Sequence, residues 1–382
     1  MKLASTLTRK FHYIFLCIFS GQVFSEASKY NMPHGVTEVS ESIFELHMLI
    51  MWVCVGIGVV VFGIMFWSLW KYRKSSGAVA AKFDDHFGLE ISWTILVAVI
   101  LVLIAIPSTI VLIQTYDDTE GDINIMVTGY QWKWQYKYLE DDISFFSNLA
   151  TSQEEIDNQL AKGEYYLREV DEPLVIPINK RIRFLITGND VIHSWWVPDF
   201  AVKQDAVPGF INTAWTNVPE PGIYRGACTE LCGLGHAFMP IVVRAVEQEE
   251  YDSWVAEKIA FAEQERLLNY KVWTREELVQ RGEGVYAKNC IACHQTNGQG
   301  LPPVFPALDG SNIVMNDKTR NIEILMEGVR GAAMQSFANQ LSEVDIASVI
   351  TYTRRSWGNN KNGDGEIVEP KEIVGYKNRV EL

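Results

Sequence analysis

The sequence is poor in cysteine, histidine and proline: its 382 residues include 6 Cys, 7 His and 13 Pro. Four of the cysteines form two close pairs, Cys228 with Cys232 and Cys290 with Cys293. A disulfide framework would spread its cysteines more widely, so the chain is not a disulfide-stapled scaffold. Each pair has a histidine nearby, and this arrangement indicates the attachment of a metal or a haem.

Positive charge is also scarce, since 33 Lys and Arg stand against 47 Asp and Glu, a net charge of −14. An excess of negative charge repels polyanions, which argues against nucleic acid as a partner. The sequence has no internal repeat. Its hydrophobic residues, 48% of the chain, are unevenly distributed, because long apolar runs lie beside acidic, polar stretches.

Residues 1–25 have the pattern of a secretory signal peptide. A basic start with Lys2, Arg9 and Lys10 precedes a short apolar core, and an acceptable cleavage site follows at Ser25. An uncleaved membrane anchor is the alternative interpretation.

Segment 26–114 contains two apolar runs, residues 47–70 and 91–113, each long enough to cross a bilayer as a helix. Pro107 is expected to kink the second helix or to mark its upper part. Basic residues favour the cytoplasmic side of a membrane, so the short loop between the runs is predicted to lie inside. The basic residues of this loop are Lys71, Arg73, Lys74 and Lys82. Everything after residue 114 is then outside.

Residues 115–246 consist of short runs rich in Val, Ile, Thr, Tyr and Trp with turns between them, which predicts a β-sandwich or barrel. A polar, acidic stretch at 141–170 interrupts this pattern, and we expect it to be an inserted loop or a short helix. Residues 247–273 are predicted to form a helical linker, and 274–357 a compact helical domain. The polar tail 358–382 is predicted to be flexible.

The densest motif is CTELCGLGHAFMP, residues 228–240, which brings Cys228, Cys232, His236 and Met239 together. His193 lies upstream at the end of a predicted strand. Thiolate, imidazole and thioether form a soft donor set that suits copper, and two thiolates can bridge two copper ions. A structural zinc site is one alternative, although zinc has little use for a methionine. Buried core residues with a disulfide are the other.

Four segments together resemble subunit II of cytochrome c oxidase, the haem–copper oxidase subunit with a dinuclear CuA centre: GYQWKWQY, HSWWVP, KQDAVPG and CTELCGLGHAFMP. The resemblance covers residues 35–246. It implies a transmembrane hairpin followed by a cupredoxin-like domain. It also implies that Glu230 contributes its backbone carbonyl to the copper, and that the side-chain ligands are His193, Cys228, Cys232, His236 and Met239.

The same resemblance implies roles for residues outside this ligand set. Electrons would enter near the copper at Trp132, which we expect to share a strand face with Trp134; plain core packing is the alternative. The Glu230 carboxylate would bind Mg at the interface with subunit I, supported by Asp205. Glu90 would be where protons enter, or else an ordinary acid at a helix start.

Residues 290–294, CIACH, have the attachment pattern of haem c, in which Cys290 and Cys293 bind the haem covalently and His294 binds the iron. The same pattern also occurs by chance and in redox or zinc proteins. The flanking helices resemble a class I cytochrome c, an all-α fold, with helix-crossing positions at Gly282, Tyr286 and Tyr352. The sixth ligand should be a methionine some forty residues later. Met334 matches the family position; Met315 and Met326 are the other candidates, and Met326 has the spacing of a core residue.

We therefore predict subunit II of a respiratory cytochrome c oxidase with a cytochrome c fused at its C-terminus. Electrons would pass from haem c through CuA to subunit I, which reduces oxygen and pumps protons. Expected partners are subunits I and III, membrane lipid, and a donor such as a cytochrome c or the cytochrome bc complex. The expected location is the bacterial inner membrane, with both soluble domains on the periplasmic side. The alternatives are the subunit through which electrons enter a CuA-containing nitric oxide reductase, and a membrane-anchored carrier without a catalytic partner.

Overall fold

The computed structural model of the chain describes residues 30–79 and 85–380, so the predicted signal segment 1–25 and Lys82 lie outside the described residues. Two compact units are present, one up to Tyr251 and one from Asp252 onward. Each is described by itself below.

Two long apolar helices open the first unit: α1 (Glu38–Lys71) and α2 (Phe87–Thr115). Their mean hydropathies of 2.7 and 3.1 and their lengths qualify both as membrane spans. Both exceed the predicted apolar runs, because polar side chains cap them further out. Thr37 and Ser40 form a reciprocal capping box before α1, and the His86 side chain caps α2. The second helix continues through Pro107.

The rest of the first unit is a β-sandwich of two five-stranded sheets, with strand orders β3-β2-β1-β5-β8 and β4-β10-β9-β6-β7. Strands β1 and β5 pair in parallel, as do β4 and β10; the other neighbours are antiparallel. The strands are β1 (Ile123–Tyr130), β2 (Lys133–Tyr138), β3 (Ile143–Ser147), β4 (Leu174–Pro177), β5 (Arg181–Gly188), β6 (His193–Val197), β7 (Val202–Ala206), β8 (Asn212–Asn217), β9 (Gly222–Cys228) and β10 (Pro240–Val246).

Alternating side chains build the core between the sheets. In β5, Ile182, Phe184 and Ile186 are fully buried, while the residues between them face outward. The rings of Phe184 and Trp195 lie 4.8 Å apart across the two sheets. The indole N–H of Trp195 donates to the hydroxyl of Tyr136 at 3.3 Å. Aromatic residues therefore join the sheets and fix the position of β6, which begins at a predicted copper ligand.

The prediction for 141–170 is wrong at its start, where β3 pairs with β2 and extends the first sheet. Phe145 packs against the rings of Tyr136 and Tyr138, which gives this strand its support. Acidic residues flank this five-residue strand, so its pattern of apolar and polar side chains is not evident in the sequence. The short helix α3 (Gln153–Ile156) follows.

The N-terminal end of α1 is attached to the β-sandwich. The Val36 amide donates to the carbonyl of Asp199 at 2.8 Å, and the Thr37 hydroxyl donates to the carbonyl of Phe200 at 3.3 Å. Both acceptors lie in a 3-10 turn between β6 and β7. The first membrane helix is thus held to the β-sandwich at its outer end.

The C-terminal end of α2 is attached at a second place. The indole of Trp215 donates to the carbonyl of Gln114 at 3.1 Å. Arg181 stacks on the Trp215 ring at 4.0 Å and forms an ion pair with Asp117 at 3.1 Å. Strands β5 and β8 therefore hold the outer end of the second membrane helix.

The second unit is helical. Its elements are α4 (Gln248–Leu268, which begins before the division), α5 (Arg275–Asn289), α6 (Ile291–His294), α7 (Asn312–Asn316), α8 (Lys318–Glu327), α9 (Glu343–Arg355), α10 (Asn359–Asn362) and α11 (Pro370–Val380). Helices α5 and α9 cross closely at Gly282, where an added Cβ would lie 2.1 Å from the carbonyl oxygen of Ser348. Tyr286, Tyr352 and Trp357 form an aromatic cluster beside this crossing.

The prediction of a flexible tail at 358–382 is wrong. Val368 and Ile373 are fully buried, and α11 packs on the unit. The guanidinium of Arg354, at the end of α9, is also buried and forms an ion pair with Asp364 at 2.5 Å. The tail is ordered because its few apolar residues complete a core and its carboxylate neutralises a buried cation.

Candidate copper and haem sites

The loop between β9 and β10 gathers four of the predicted copper ligands. Cys228 ends β9, and Met239 immediately precedes β10. The sulfur of Cys232 lies 3.9 Å from the sulfur of Cys228, 3.5 Å from Nδ1 of His236 and 3.5 Å from Sδ of Met239. The two cysteine sulfurs are not joined in a disulfide. Their spacing leaves room for metal ions between them.

His193 reaches the same place from β6. Ligand atoms of His193, Cys228 and Cys232 lie within 4.8 Å of one another, and all three residues are buried. The His193 Nε2 is 2.8 Å from Oδ1 of Asp190. A carboxylate only accepts, so Nε2 carries the proton and Nδ1 keeps its lone pair. That Nδ1 is buried without a hydrogen-bond partner in the described part of the chain, as expected of a metal ligand.

The charges around these donors link metal binding to the release of protons. Burial opposes protonation of His193, but Asp190 and Cys228 together outweigh it and raise the histidine pKa. Burial likewise opposes ionisation of Cys228, yet polar contacts with His193 and neighbouring backbone groups lower its pKa to about 7. Burial and the charge of Cys228 raise the pKa of Cys232. One thiolate is therefore available near neutral pH, and metal binding would displace the second proton.

The donor set fits copper better than zinc. It combines two thiols, two imidazoles and the thioether of Met239, a residue that is 98% buried. The carbonyl oxygen of Glu230 lies 3.4 Å from the Cys228 sulfur, which also agrees with its expected place, while the Glu230 side chain is exposed.

Trp132 lies against this loop but not in the way expected. It occupies the turn before β2, so it does not share a strand face with Trp134. Its indole N–H donates to the carbonyl of Cys232 at 3.1 Å, and the Gln131 amide donates to the same oxygen at 2.8 Å. An added Cβ at Gly235 would come within 2.3 Å of the indole, so only glycine lets the ring lie this close.

Trp134 approaches the loop from the core side. It is fully buried, its ring meets the His193 ring edge-on at 5.9 Å, and its N–H points to the carbonyl of Met239 at 3.4 Å. Two tryptophans thus contact the ligand loop, one at the surface and one inside.

Two further residues of the predicted set lie outside the ligand loop. Glu90 is in the first turn of α2, and Thr115 is its last residue. The two positions are 25 residues apart, which is about 38 Å at a rise of 1.5 Å per residue. Asp205 is in β7, and its carbonyl accepts a hydrogen bond from the Asn212 amide at 2.7 Å.

The CIACH segment forms the short helix α6 directly after α5, with Cys290 at the junction. The Nδ1 of His294 donates to the carbonyl of Pro306 at 2.9 Å, which leaves Nε2 as the lone-pair nitrogen. Burial lowers the pKa of His294, so the ring stays neutral near pH 7. Cys290 and Cys293 are not joined in a disulfide. These four features fit covalent haem with an imidazole ligand.

Met334 lies on the loop between α8 and α9, and its backbone carbonyl accepts from the Val329 amide at 2.8 Å. Met326 packs in the core, as its helical spacing predicted. Met315 lies in α7. Met334 is thus the one of the three methionines that lies outside a helix.

Sequence reasoning missed Asp190 and Gln131. Asp190 stands three residues before His193, close enough in sequence to reach the ring, and this spacing is the signal that could have pointed to it. No sequence signal points to Gln131, because its contact depends on where the turn before β2 meets the ligand loop.

Comparison with known families agrees with this arrangement. "Cytochrome C oxidase subunit II, periplasmic domain" matches residues 123–246, and the transmembrane domain of the same subunit matches residues 25–111. "Cytochrome C oxidase, cbb3-type, subunit III" matches residues 277–352.

Similar proteins extend the comparison. A probable cytochrome c oxidase subunit 2 of Rickettsia bellii is 40% identical over 221 residues, which are 58% of this chain and 80% of that protein. Cytochrome c oxidase subunit 2 of Cereibacter sphaeroides is 38% identical over 234 residues, 58% of this chain and 77% of that protein. The crystal structure of the periplasmic domain of subunit II of cytochrome oxidase from Bradyrhizobium japonicum has 40% identity, a TM-score of 0.34, and covers 37% of this chain and 96% of that one.

Proposed function

Because the chain belongs to the cytochrome c oxidase subunit II family, we propose that it accepts electrons at a covalent haem c and passes them through a dinuclear copper centre to subunit I. The family membership makes it part of a haem–copper oxidase complex, with subunit I as its partner. The oxygen chemistry belongs to that partner, and this chain supplies binding, positioning and electron transfer.

The convergence of five donor side chains, four from the loop between β9 and β10 and His193 from β6, carries the copper part of the proposal. His193, Cys228, Cys232, His236 and Met239 would hold the metal, with the Glu230 carbonyl as a further ligand. Copper held there would supply a one-electron couple. The protein keeps the donor side chains in place: Asp190 orients His193, and the adjacent strands β9 and β10 hold both ends of the loop.

The haem part of the proposal rests on CIACH and its hydrogen bond. Cys290 and Cys293 would form the covalent attachments, while His294 and Met334 would bind the two faces of the iron. Haem c would supply a one-electron couple with both faces occupied. Pro306 fixes the tautomer and orientation of the His294 ring through its carbonyl.

Trp132 would be the residue through which electrons enter near the copper. Its hydrogen bond to the Cys232 carbonyl supports this role, because it connects an accessible indole to a ligand by a short bonded path. Glu90, exposed in the first turn of α2, would be where protons enter on the inner side. The exposed Glu230 carboxylate would bind Mg together with ligands from subunit I, and Asp205 would support that region.

The two membrane helices anchor the chain, with the β-sandwich on the periplasmic side. We place the protein in a bacterial inner membrane, with the haem domain also periplasmic. Subunit III would complete the complex, and a cytochrome c or the cytochrome bc complex would be the donor.

Metal and haem analysis of the purified full chain tests this function. We expect two coppers and one covalent haem per chain. Cys228→Ser should abolish electron flow from haem to subunit I while the haem content stays unchanged. A single copper, zinc in its place, or undiminished electron flow in the Cys228→Ser complex would contradict the proposal.

A further inference from the structure

The last helix of the chain lies beyond the cytochrome match, which ends at residue 352, and yet it forms part of the helical unit. Ile373 of α11 and Val368 before it are fully buried. The Thr351 hydroxyl in α9 accepts from the Val368 amide at 3.0 Å and lies 3.3 Å from the Val368 carbonyl. The segment is therefore fixed to the unit by packing and by hydrogen bonds.

Ile373 and Val368 complete one apolar cluster with α8 and α9. The buried members from those helices are Ile322, Met326, Ile346, Ala347 and Ile350. Ala338 and Leu341, which follow Met334 in the chain, pack against the same cluster, as do Leu325 and Tyr376. Helix α11 thus forms one side of this cluster. The residues that follow Met334 in the loop between α8 and α9, here called the methionine loop, pack against the same cluster.

The residues just after Met334 are also attached to the last turn of α8. The Phe337 amide donates to the carbonyl of Leu325 at 2.7 Å, and the Ser336 hydroxyl donates to the carbonyl of Met326 at 2.5 Å. Gly328, at φ +75°, begins the loop, and an added Cβ there would lie 2.8 Å from the Met334 carbonyl oxygen. The position of Met334 therefore depends on where α8 ends.

Helix α11 also holds the end of α8 directly. The Tyr376 hydroxyl donates to the carboxylate of Glu327 at 2.5 Å. Glu327 is the last residue of α8 and immediately precedes Gly328. Helix α11 therefore supports the methionine loop at two places. Ile373 packs in the apolar cluster that α11 shares with α8 and α9, and Tyr376 binds Glu327, the residue just before the loop.

We propose that α11 positions the methionine loop, with Ile373 and Tyr376 as positioning residues that hold Met334 against the haem iron. The inference rests on the proposed axial role of Met334. Without α11, α8 loses part of its apolar packing and the loop loses the contacts with Ile373 and Tyr376. The loop then opens more readily, while α5, α6 and the segment that carries His294 stay folded.

Loop opening can be measured as competition at the iron. Added imidazole binds ferric haem only when the methionine has left, so its apparent affinity rises by the same factor as the open population. The thioether absorption band of ferric haem reports the closed state. Neither quantity responds to a loss of stability that leaves the loop in place.

The experiment uses the full chain with its haem, in detergent, and titrates imidazole into five variants. Ile373→Ala and the milder Ile373→Val test the packing, and Tyr376→Phe tests the hydrogen bond. Asn378→Ala changes an exposed residue of the same helix and is the matched control. Leu278→Ala, which removes a fully buried side chain of α5 outside this cluster, controls for lost stability alone.

We expect imidazole affinity to rise about tenfold for Ile373→Ala, which corresponds to about 1.4 kcal/mol in the opening equilibrium. Ile373→Val and Tyr376→Phe should raise it about twofold to threefold, as expected for one methylene group or one exposed hydrogen bond. Asn378→Ala and Leu278→Ala should match the unmodified chain.

The inference would be overturned if the Ile373 and Tyr376 variants bound imidazole no more tightly than Asn378→Ala. It would also be overturned if Leu278→Ala raised imidazole affinity as much as Ile373→Ala. Met334→Ala separates this failure from that of the proposed function. It should lose the thioether band and bind imidazole most tightly of all. If Met334→Ala keeps the band, Met334 is not the ligand and the proposed function is wrong at that point.

Discussion

Asp190 and His193 are three residues apart in sequence, and Oδ1 of the one is 2.8 Å from Nε2 of the other. This contact directs the buried Nδ1 of the histidine toward the two cysteine sulfurs. We predict that Asp190→Ala lowers copper affinity about 10–100-fold, the usual effect of removing a residue that orients a ligand. Copper titration against a chelator measures this, with Ile192→Ala, an exposed neighbour, as the control. Unchanged affinity in Asp190→Ala would contradict the role.

Trp132→Phe should slow the reduction of the copper centre without changing its metal content. Phenylalanine keeps a ring over Gly235 but cannot donate to the Cys232 carbonyl, so the bonded path to the ligand is broken. We expect a rate lower by about tenfold, or ~1.4 kcal/mol in the barrier. Rapid-mixing spectroscopy at the copper band measures the rate. Trp196→Phe, on the outer face of β6, should leave it unchanged. Equal rates in both variants would count against Trp132.

Gly282→Ala should destabilise the helical unit, because its Cβ would lie 2.1 Å from the Ser348 carbonyl oxygen and α5 would have to move away from α9. We expect a loss of about 1–3 kcal/mol in the free energy of unfolding, as for other overpacked cores. Gly284→Ala, two residues on, meets nothing within 4 Å and should stabilise the helix by about 0.5–1 kcal/mol. Thermal unfolding followed by the haem absorption distinguishes the two. Similar melting temperatures in both variants would show that the crossing is not close-packed.

Asp364→Asn should destabilise the helical unit at neutral pH and lose this effect in acid. Burial opposes ionisation of Asp364, but the Glu366 backbone and the Arg354 guanidinium outweigh it and lower the pKa of the carboxyl group. Because the pKa of Asp364 is lower in the folded chain than in the unfolded chain, its carboxylate stabilises the fold above the unfolded-chain pKa, about 3.9. This stabilisation is lost as the pH falls through the folded-chain pKa.

The expected loss for Asp364→Asn at pH 7 is about 1.5–3 kcal/mol, the range for a hydrogen bond to a charged group. Thermal melts from pH 7 down to pH 2 should show the unmodified chain approaching the variant only below about pH 4. Lys361→Ala, an exposed change in α10, provides the control. A difference that is constant at all pH values would exclude the ion pair as its cause.

Much of the fold follows from local patterns. The alternation in β5 and the uniform apolar runs of the membrane helices are visible in sequence, because burial on one face or on all faces fixes the spacing of apolar residues. The ligand loop was also predictable, since its cysteines, histidine and methionine lie within twelve residues. Their individual roles as metal ligands stay predictions.

What could not be predicted depends on contacts between distant segments. Val368 and Ile373 lie among charged residues and look solvated until α8 and α9 are placed beside them. The strand β3 is concealed in the same way by Asp141 and Asp142. The contact of Trp132 with Cys232 spans 100 positions and requires the β-sandwich to form first.

The attachment of both membrane helices to the β-sandwich limits how the ligand loop can move. One joint is at Val36 and Thr37, and the other is at Trp215 and Arg181. Because the β-sandwich is attached to both helices at separate places, it cannot rotate freely about either one. Any tilt of the helical hairpin therefore moves the ligand loop with it. The ligand loop therefore keeps a fixed height above the two attached helix ends.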